Sequence, residues 1–420
     1  MGAVITFYSY KGGVGRSMAL ANIGVILAKW GKKTLMIDWD LEAPGLENYF
    51  RGLLPDFTDT LGKEGLIDIL HRRTVDPSCE TKSINWPDYI MPVVFEQNSN
   101  LHLMTSGKKD EDYISKVRKF DFSTFYNEHD GGDFLEEMRA YWKSKYDFVL
   151  IDSRTGLTDS SGVCSIQMPD IIVLMFTATE QGFKGTLNVA NKSKKAQELL
   201  IYDRLKLKAL PIPTRFDNSE LKLTEEWLNK FATELNAVYR DFIPIDKDKN
   251  LMIQPLDILK RTKVPYISFF GYGEKLPILE QGSDDPNSLG YVYETIAAIL
   301  ANDFKEIQRL KDERDGYIKT AKGEELVDYS YYKKLIEQQQ EEKMKLEEQL
   351  RIKDERIQHQ VEKSRMILYA IIGAVIVAAL IVFFATRSGR HESSDTAAAA
   401  DSTVTRMDST KVAVDTTVKK

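Results

Sequence analysis

Tyr10-Lys11-Gly12-Gly13-Val14-Gly15-Arg16-Ser17 decides how the rest of this chain is read. It follows an apolar, β-like run from Ala3 to Tyr8. It opens a helical pattern in which Leu20, Ile23, Leu27 and Trp30 share one face before Gly31. A strand, a glycine turn and a helix form the context in which such a loop cradles phosphate. Glycines let backbone N–H groups turn inward around phosphate oxygens, and the helix N-terminus adds partial positive charge. The hydroxyl of Ser17 is placed to ligate Mg²⁺. The backbone from Gly12 to Met18, with the side chains of Arg16 and Ser17, is therefore the expected nucleotide cradle.

Outward from the loop, Thr34 to Ile37 reads as a second buried strand that delivers Asp38-Trp39-Asp40. Tyr146 to Ile151 reads as another strand, ending in Asp152. Open α/β sheets bind ligands at such carboxyl ends. An acid there either holds a Mg²⁺-bound water or orients the water that attacks a γ-phosphate; the alternative for Asp38 and Asp40 is capping of the turn from Leu41 to Gly45. Asn100 to Gly107, Ile171 to Phe176, Leu205 to Pro213 and Val264 to Phe270 supply further strands. Helical patterns run from Lys184 to Leu200, Leu221 to Val238 and Leu289 to Phe304. This alternation predicts an α/β fold of the P-loop NTPase kind, a mostly parallel sheet with helices on both faces.

The loop departs from the common pattern G-x-x-x-x-G-K-[ST] at two places, with Tyr10 for the first glycine and Arg16 for the lysine, while Lys11 adds a second cation. In this it resembles the deviant Walker A motif, K-G-G-x-G-K-[ST], of the MinD/ParA family of P-loop ATPases. The resemblance covers residues 1–304 as a fold, with specific motifs at 10–17, 38–40 and 147–156. It implies that Lys11 crosses to the other subunit's nucleotide, so that ATP–Mg²⁺ joins a homodimer. It implies that Asp38 and Asp152 assist Ser17 at the metal, and that Asp40 acts catalytically on the attacking water, with Lys11 and Arg16 neutralising developing charge.

Ser153-Arg154-Thr155-Gly156 takes the place of the family's Pro-Pro-Gly-like turn, with the Gly156 N–H aimed at the γ-phosphate. Arg154 is either a phosphate or interface contact or a surface salt bridge. Pro213 to Asp217 falls where the family holds adenine; it lacks the usual asparagine, leaving Arg215 and Asp217 as the residues there. Arg16 keeps the lysine's charge on a bulkier, planar group, and slow turnover is the expectation.

A net charge of −6 with mixed signs along the globular part points away from nucleic acid. Cys79 and Cys164 show neither metal-ligand spacing nor a disulfide framework and fit a reducing compartment. Phe120, Phe122, Phe125, Tyr126 and Phe134, in the less regular part from Glu47 to Tyr141, read as a satellite core.

Beyond 304 the composition changes. Residues 305–365 are rich in Glu, Gln, Lys and Arg, lack proline, and read as a helical stalk. Ile336, Leu350 and Ile357 keep a heptad column that Lys343 interrupts, and Leu346 shares its column with Gln339 and Lys353. The stalk either pairs as a weak coiled coil or stands as a solvated helix. Residues 366–386 form an apolar span bracketed by Lys363, Arg365 and Arg387, in which Ala370, Ala374 and Ala378 offer a close-approach face.

No signal peptide is read ahead of the first strand. The basic excess before the span places the ATPase domain in the cytoplasm, tethered to the inner (cytoplasmic) membrane, with 387–420 as a disordered polar tail beyond it. The expected function is a slowly hydrolysing, membrane-anchored ATP switch that regulates an unidentified protein partner in bacterial signalling or defence. Two alternatives use the same nucleotide site. One is a bacterial tyrosine-kinase-like enzyme, with Tyr329, Tyr331 and Tyr332 as a tyrosine cluster; the other is a non-hydrolysing membrane scaffold.

Overall fold

The computed structural model describes residues 2–156, 162–200, 202, 204–245, 251–324 and 329–388. Its apolar first run is strand β1 (Ala3–Tyr8), buried along almost its whole length because neighbours pair on both sides. The other strands are β2 (Thr34–Asp38), β3 (Met91–Phe95), β4 (Asn98–Met104), β5 (Phe148–Asp152), β6 (Ile171–Thr177), β7 (Lys208–Phe216) and β8 (Val264–Pro265). They form one sheet in the order β3-β4-β2-β5-β1-β6-β7-β8, parallel except where β3 runs against β4.

Helix α1 (Arg16–Lys29) and the helix Leu289–Ala301 share one core cluster with Ile5, Phe7, Met36 and Leu150. The helices Leu66–Val75 and Gly131–Lys145 cover the opposite side with Leu35, Ile37 and Ile151. The fold is thus the expected mostly parallel α/β sheet with helices on both faces. Alternate residues of a strand face opposite sides. Met36 and Leu150 belong to the α1 side, so Asp38 and Asp152, two residues further on, face the start of α1. The satellite aromatics are core: Phe125 and Phe134 are buried, and Phe120, Phe122 and Tyr126 pack against them.

Three expectations need correction. The last strand stops at Pro265: the Tyr266 N–H makes the closing ladder bond to the Phe216 carbonyl at 2.7 Å, and the chain then turns into a 3₁₀ segment, Ser268–Gly271. An antiparallel edge strand, β3, was not foreseen; it carries Pro92 on its exposed face, as an edge strand tolerates.

The third correction concerns the boundary. The chain divides into units Met1–Val327 and Asp328–Lys420, so the first unit continues past 304. The helix expected to run to Phe304 ends at Ala301, and Asp303, Phe304 and Glu306 adopt left-handed φ values of 50°, 62° and 51°. Phe304 inserts against Phe242 with ring centroids 4.3 Å apart. The chain then returns through Ile307–Lys311 and Arg314–Lys322, burying Ile307, Leu310, Tyr317 and Ile318. Arg314 fixes this return by bonding Thr295 Oγ1, the Tyr291 carbonyl and Glu294 at 2.8, 2.9 and 3.1 Å. Each of those apolar side chains is worth about 1.5–3 kcal/mol on burial. A fragment ending at residue 304 is therefore expected to aggregate, whereas one ending at 327 stays soluble and monodisperse on gel filtration.

The second unit is described through one continuous helix, Tyr329–Ser388, of 60 residues. Its stretch Glu342–Val382 contains a segment long and apolar enough, by length and composition, to cross a membrane. From 389 onward the expected polar tail lies outside the described residues.

Candidate functional site

The site starts from register. Parallel pairing sets Asp38 of β2 beside Asp152 of β5, and Asp152 beside Phe7 of β1, where the glycine loop leaves the sheet. Gly13 and Gly15 have φ of 75° and 87°, a left-handed backbone that side chains with a Cβ adopt only with strain. Gly12 differs: its φ is not left-handed, and a Cβ built there meets nothing within 4 Å. Among the described residues nothing requires glycine at 12, and the space a Cβ would take there is open to a ligand. Gly15 is the N-cap of α1 and no side chain caps it, which leaves the helix start for an anion. Ser17 lies in that first turn, half-buried, and Val14 anchors the loop in the core at 5% exposure.

Arg16 is the first residue of α1 and is buried, at 7% exposure. Its Nε donates to Asp152 Oδ1, one terminal nitrogen donates to Asp40 Oδ2 at 3.0 Å, and the other reaches Ser9 Oγ at 3.4 Å. The planar fork thus spans two carboxylates, which a lysine ammonium at the same place matches less well. Burial works against the Arg16 charge, but Asp152 and Asp40 outweigh it and hold the guanidinium above its usual range. Burial, and then the Asp152 charge, push the Asp40 carboxyl up against the pull of Arg16.

Asp38 is fully enclosed, and burial, then Asp152 and Glu47, raise it to about 7. Its oxygens accept backbone N–H bonds from Asp40 at 3.1 Å, Gly45 at 2.9 Å and Leu46 at 3.1 Å. In this structure Asp38 therefore holds the loop that presents Asp40.

Lys11 is exposed and its Nζ donates to Gln181 Oε1; among the described residues it has no ion pair. Arg215, itself at a left-handed φ of 60°, donates to the Gly13 carbonyl at 2.7 Å and lies over the Tyr266 ring at 4.7 Å. Asp217 is not brought to the loop: it accepts from the backbone and hydroxyl of Ser219 at 2.9 and 2.7 Å in a local turn. Arg154 pairs with exposed Glu42, the surface salt bridge of the two readings. Gly156, at φ 83°, receives the Tyr8 hydroxyl on its carbonyl at 3.0 Å, tying the end of β1 to the segment after β5.

Several contributors escaped sequence reading. Glu47 is buried at 3% exposure, 3.8 Å from Lys109 Nζ, and adds negative charge beside Asp38. Gln181 and Gly185 lie on the helix Glu180–Gln197, far from the loop in sequence. A Cβ at Gly185 would stand 2.3–2.7 Å from the Tyr10 ring, so glycine there lets Tyr10, the loop's first residue, seat against the helix. Gly185→Ala is expected to displace Tyr10 and raise the ATP dissociation constant about tenfold; titration with ATP, alongside an unchanged melting temperature, measures this.

The donor set suits nucleotide and Mg²⁺. Among the described residues no cluster of three or more His, Cys, Asp or Glu is placed to hold a metal ion alone. Mg²⁺ is ordinarily held by one or two protein oxygens together with substrate phosphates and water, which is what Ser17 and the neighbouring carboxylates offer.

The model of the CobQ/CobB/MinD/ParA nucleotide binding domain matches residues 5–254. An uncharacterized ATP-binding protein of Methanocaldococcus jannaschii is 26% identical over 279 residues, covering 62% of this chain and 90% of the relative. The septum site-determining protein MinD of Helicobacter pylori is 27% identical over 249 residues, covering 57% of this chain and 78% of that protein. Among solved structures, MinD of Pyrococcus horikoshii complexed with Mg-ADP aligns with a TM-score of 0.46 at 19% identity, over 74% of this chain and 100% of that one.

Proposed function

The chain belongs to the CobQ/CobB/MinD/ParA nucleotide-binding domain family, and from that premise we propose that it is a membrane-anchored ATP switch whose subunits pair around nucleotide. The observation that carries this reading is Arg16 bridging Asp152 and Asp40 at the mouth of the glycine loop. ATP as the nucleotide is supported by the archaeal ATP-binding relative.

The backbone from Gly12 to Met18 cradles the phosphates, and Arg215, beside Gly13, serves the base end; Asp217 supports that turn. Ser17 would hold Mg²⁺, with Asp38 and Asp152 behind it. Held there, Mg²⁺ would supply charge neutralisation at the nucleotide's phosphates. Arg16 exchanges its carboxylates for phosphate oxygens as nucleotide enters, which frees Asp40. Asp40 then orients a water in line with the γ-phosphorus. The water oxygen bonds to phosphorus as the bond to the β–γ bridging oxygen breaks, giving ADP and phosphate. Lys11, unpaired with any acid of its own subunit among the described residues, reaches the second copy's nucleotide. Gly156 donates its N–H to the γ-phosphate and reports its presence to the adjoining segment.

The apolar helix anchors this switch in the cytoplasmic membrane with the nucleotide unit in the cytoplasm. There it regulates a protein partner rather than nucleic acid, in keeping with the net charge of −6.

Phosphate release from ATP by the purified full-length chain tests the reading. Turnover on the order of 10⁻³–10⁻² s⁻¹, abolished by chelation of Mg²⁺, is expected of an unassisted switch. Turnover that survives chelation contradicts it, and phosphotyrosine appearing in place of free phosphate favours the kinase alternative.

A further inference from the structure

The helix Tyr329–Ser388 runs unbroken from the stalk into the apolar stretch, and its exposed apolar residues do not follow sevens. Heptad columns drawn through Leu346 and Leu350 also collect Lys353 and Lys343. Eleven-residue columns collect no charge at all: Leu346, Ile357, Leu368 and Ala379 form one, and Leu350, Val361 and Ile372 the other. Eleven residues make three turns at about 3.67 residues per turn, so both columns stay on one side of a nearly straight helix. From Leu346 to Ala379 the stripe is about 50 Å long at 1.5 Å per residue. The side chains from Leu346 to Ile372 on this stripe are 45–60% exposed, and between Glu342 and Arg365 Met344 and Ile352 are the apolar residues off it.

What covers the stripe is indicated by its borders. At 3.67 residues per turn, Glu342, Lys353, Ser364 and Val375 line one edge, and Lys343, Asp354, Arg365 and Ile376 line the other. When two such helices lie parallel and in register, each edge meets the opposite edge of its mate. Glu342 then faces Lys343 of the second copy, and Lys353 faces Asp354 of the second copy. Opposite charges meet in the stalk, and apolar residues meet in the membrane-length part.

We propose that the occupant of this face is a second copy of the chain, paired parallel and in register along an eleven-residue seam continuous from the stalk through the apolar stretch, on the side of the helix away from the Ala370, Ala374 and Ala378 face expected from the sequence. Such a repeat gives a straight to slightly right-handed pair. The pairing goes beyond the nucleotide-dependent clamp and does not rest on it. The helices stay joined without ATP, and nucleotide changes only how the ATP-binding units engage.

Variants that each add one cysteine, Leu350→Cys, Val361→Cys, Gln360→Cys and Met344→Cys, in the full chain, oxidised in membrane vesicles without nucleotide, test the seam. Native Cys79 and Cys164 are buried and serve as background. Dimer formation at 350 and 361 is expected to exceed that at 360 and 344 by about fivefold, since a disulfide needs closely facing Cα atoms. Lys353→Asp is expected to lower the yield at 361, and adding Asp354→Lys to restore it. Equal yields at 360 and 361, or no dimer at any of the four positions, overturn the proposal. The same result in a Lys11→Ala background separates the seam from the nucleotide clamp.

Discussion

Arg16→Ala is expected to destabilise the nucleotide-free protein by about 3 kcal/mol and to weaken ATP binding at least about 30-fold, because one side chain serves both states. Without nucleotide, Arg16 is the cation for Asp152, whose side chain is only 3% exposed, and for Asp40 at 16%. Deleting one partner of a buried pair leaves charge without compensation, and such losses run well above those of surface salt bridges. The loss falls mainly on the nearly enclosed Asp152, and a fall in melting temperature of about 5–10 °C is expected.

Arg16→Lys separates the two roles. An ammonium keeps the phosphate-facing charge but grips one carboxylate at a time, so about 1–2 kcal/mol of stability is lost. Asp40 is then released more readily, and turnover is expected to rise about five- to tenfold, a trade of stability against activity. Thermal melts without nucleotide and phosphate-release rates give both numbers. A lysine variant as stable as the parent and no faster would remove the arginine from the account.

The second large effect concerns Lys11. Lys11→Ala is expected to lower turnover by about 10²–10³, the usual loss when a cation or donor that stabilises the transition state is removed. Asp40→Asn is expected to fall as far. If Lys11 acts across the subunit boundary, co-expressing the two inactive chains restores activity. In a mixed pair, the Lys11→Ala subunit retains its Asp40 and borrows Lys11 from its mate. One site's activity per mixed pair, about half that of a parent dimer, is the predicted yield. No recovery in the mixture would place the lysine's action within its own subunit.

Much of this was legible in the sequence, for identifiable reasons. A strand, three glycines and a helix leave little latitude, and Asp38 and Asp152 each close an apolar run whose parallel pairing makes them neighbours. Whether Arg16 faces phosphate or carboxylate was not legible, because it depends on two strands and a helix start meeting in three dimensions. The seat of Tyr10 on Gly185 was hidden for the same reason, since no local pattern marks a glycine that admits a ring from a distant loop. For Asp217, position after a strand cannot distinguish a side chain that serves a ligand directly from one that closes its own turn on Ser219, as it does here.

The boundary at 304 failed on composition. Ile307, Leu310, Tyr317 and Ile318 sit among so many charges that the segment reads as stalk, although those four side chains pack inward. The stalk itself shows the reverse case. Its period could be read from the sequence, but charged residues in the heptad columns obscured an eleven-residue repeat that the unbroken helix brings out.

Calorimetric titration of ATP with Mg²⁺ into the purified full-length chain, compared with Arg16→Ala, tests the central claim most directly. One nucleotide per chain in the parent, with affinity lowered at least about 30-fold in the variant, is the predicted result. No binding by the parent, or equal affinity in both, would contradict it.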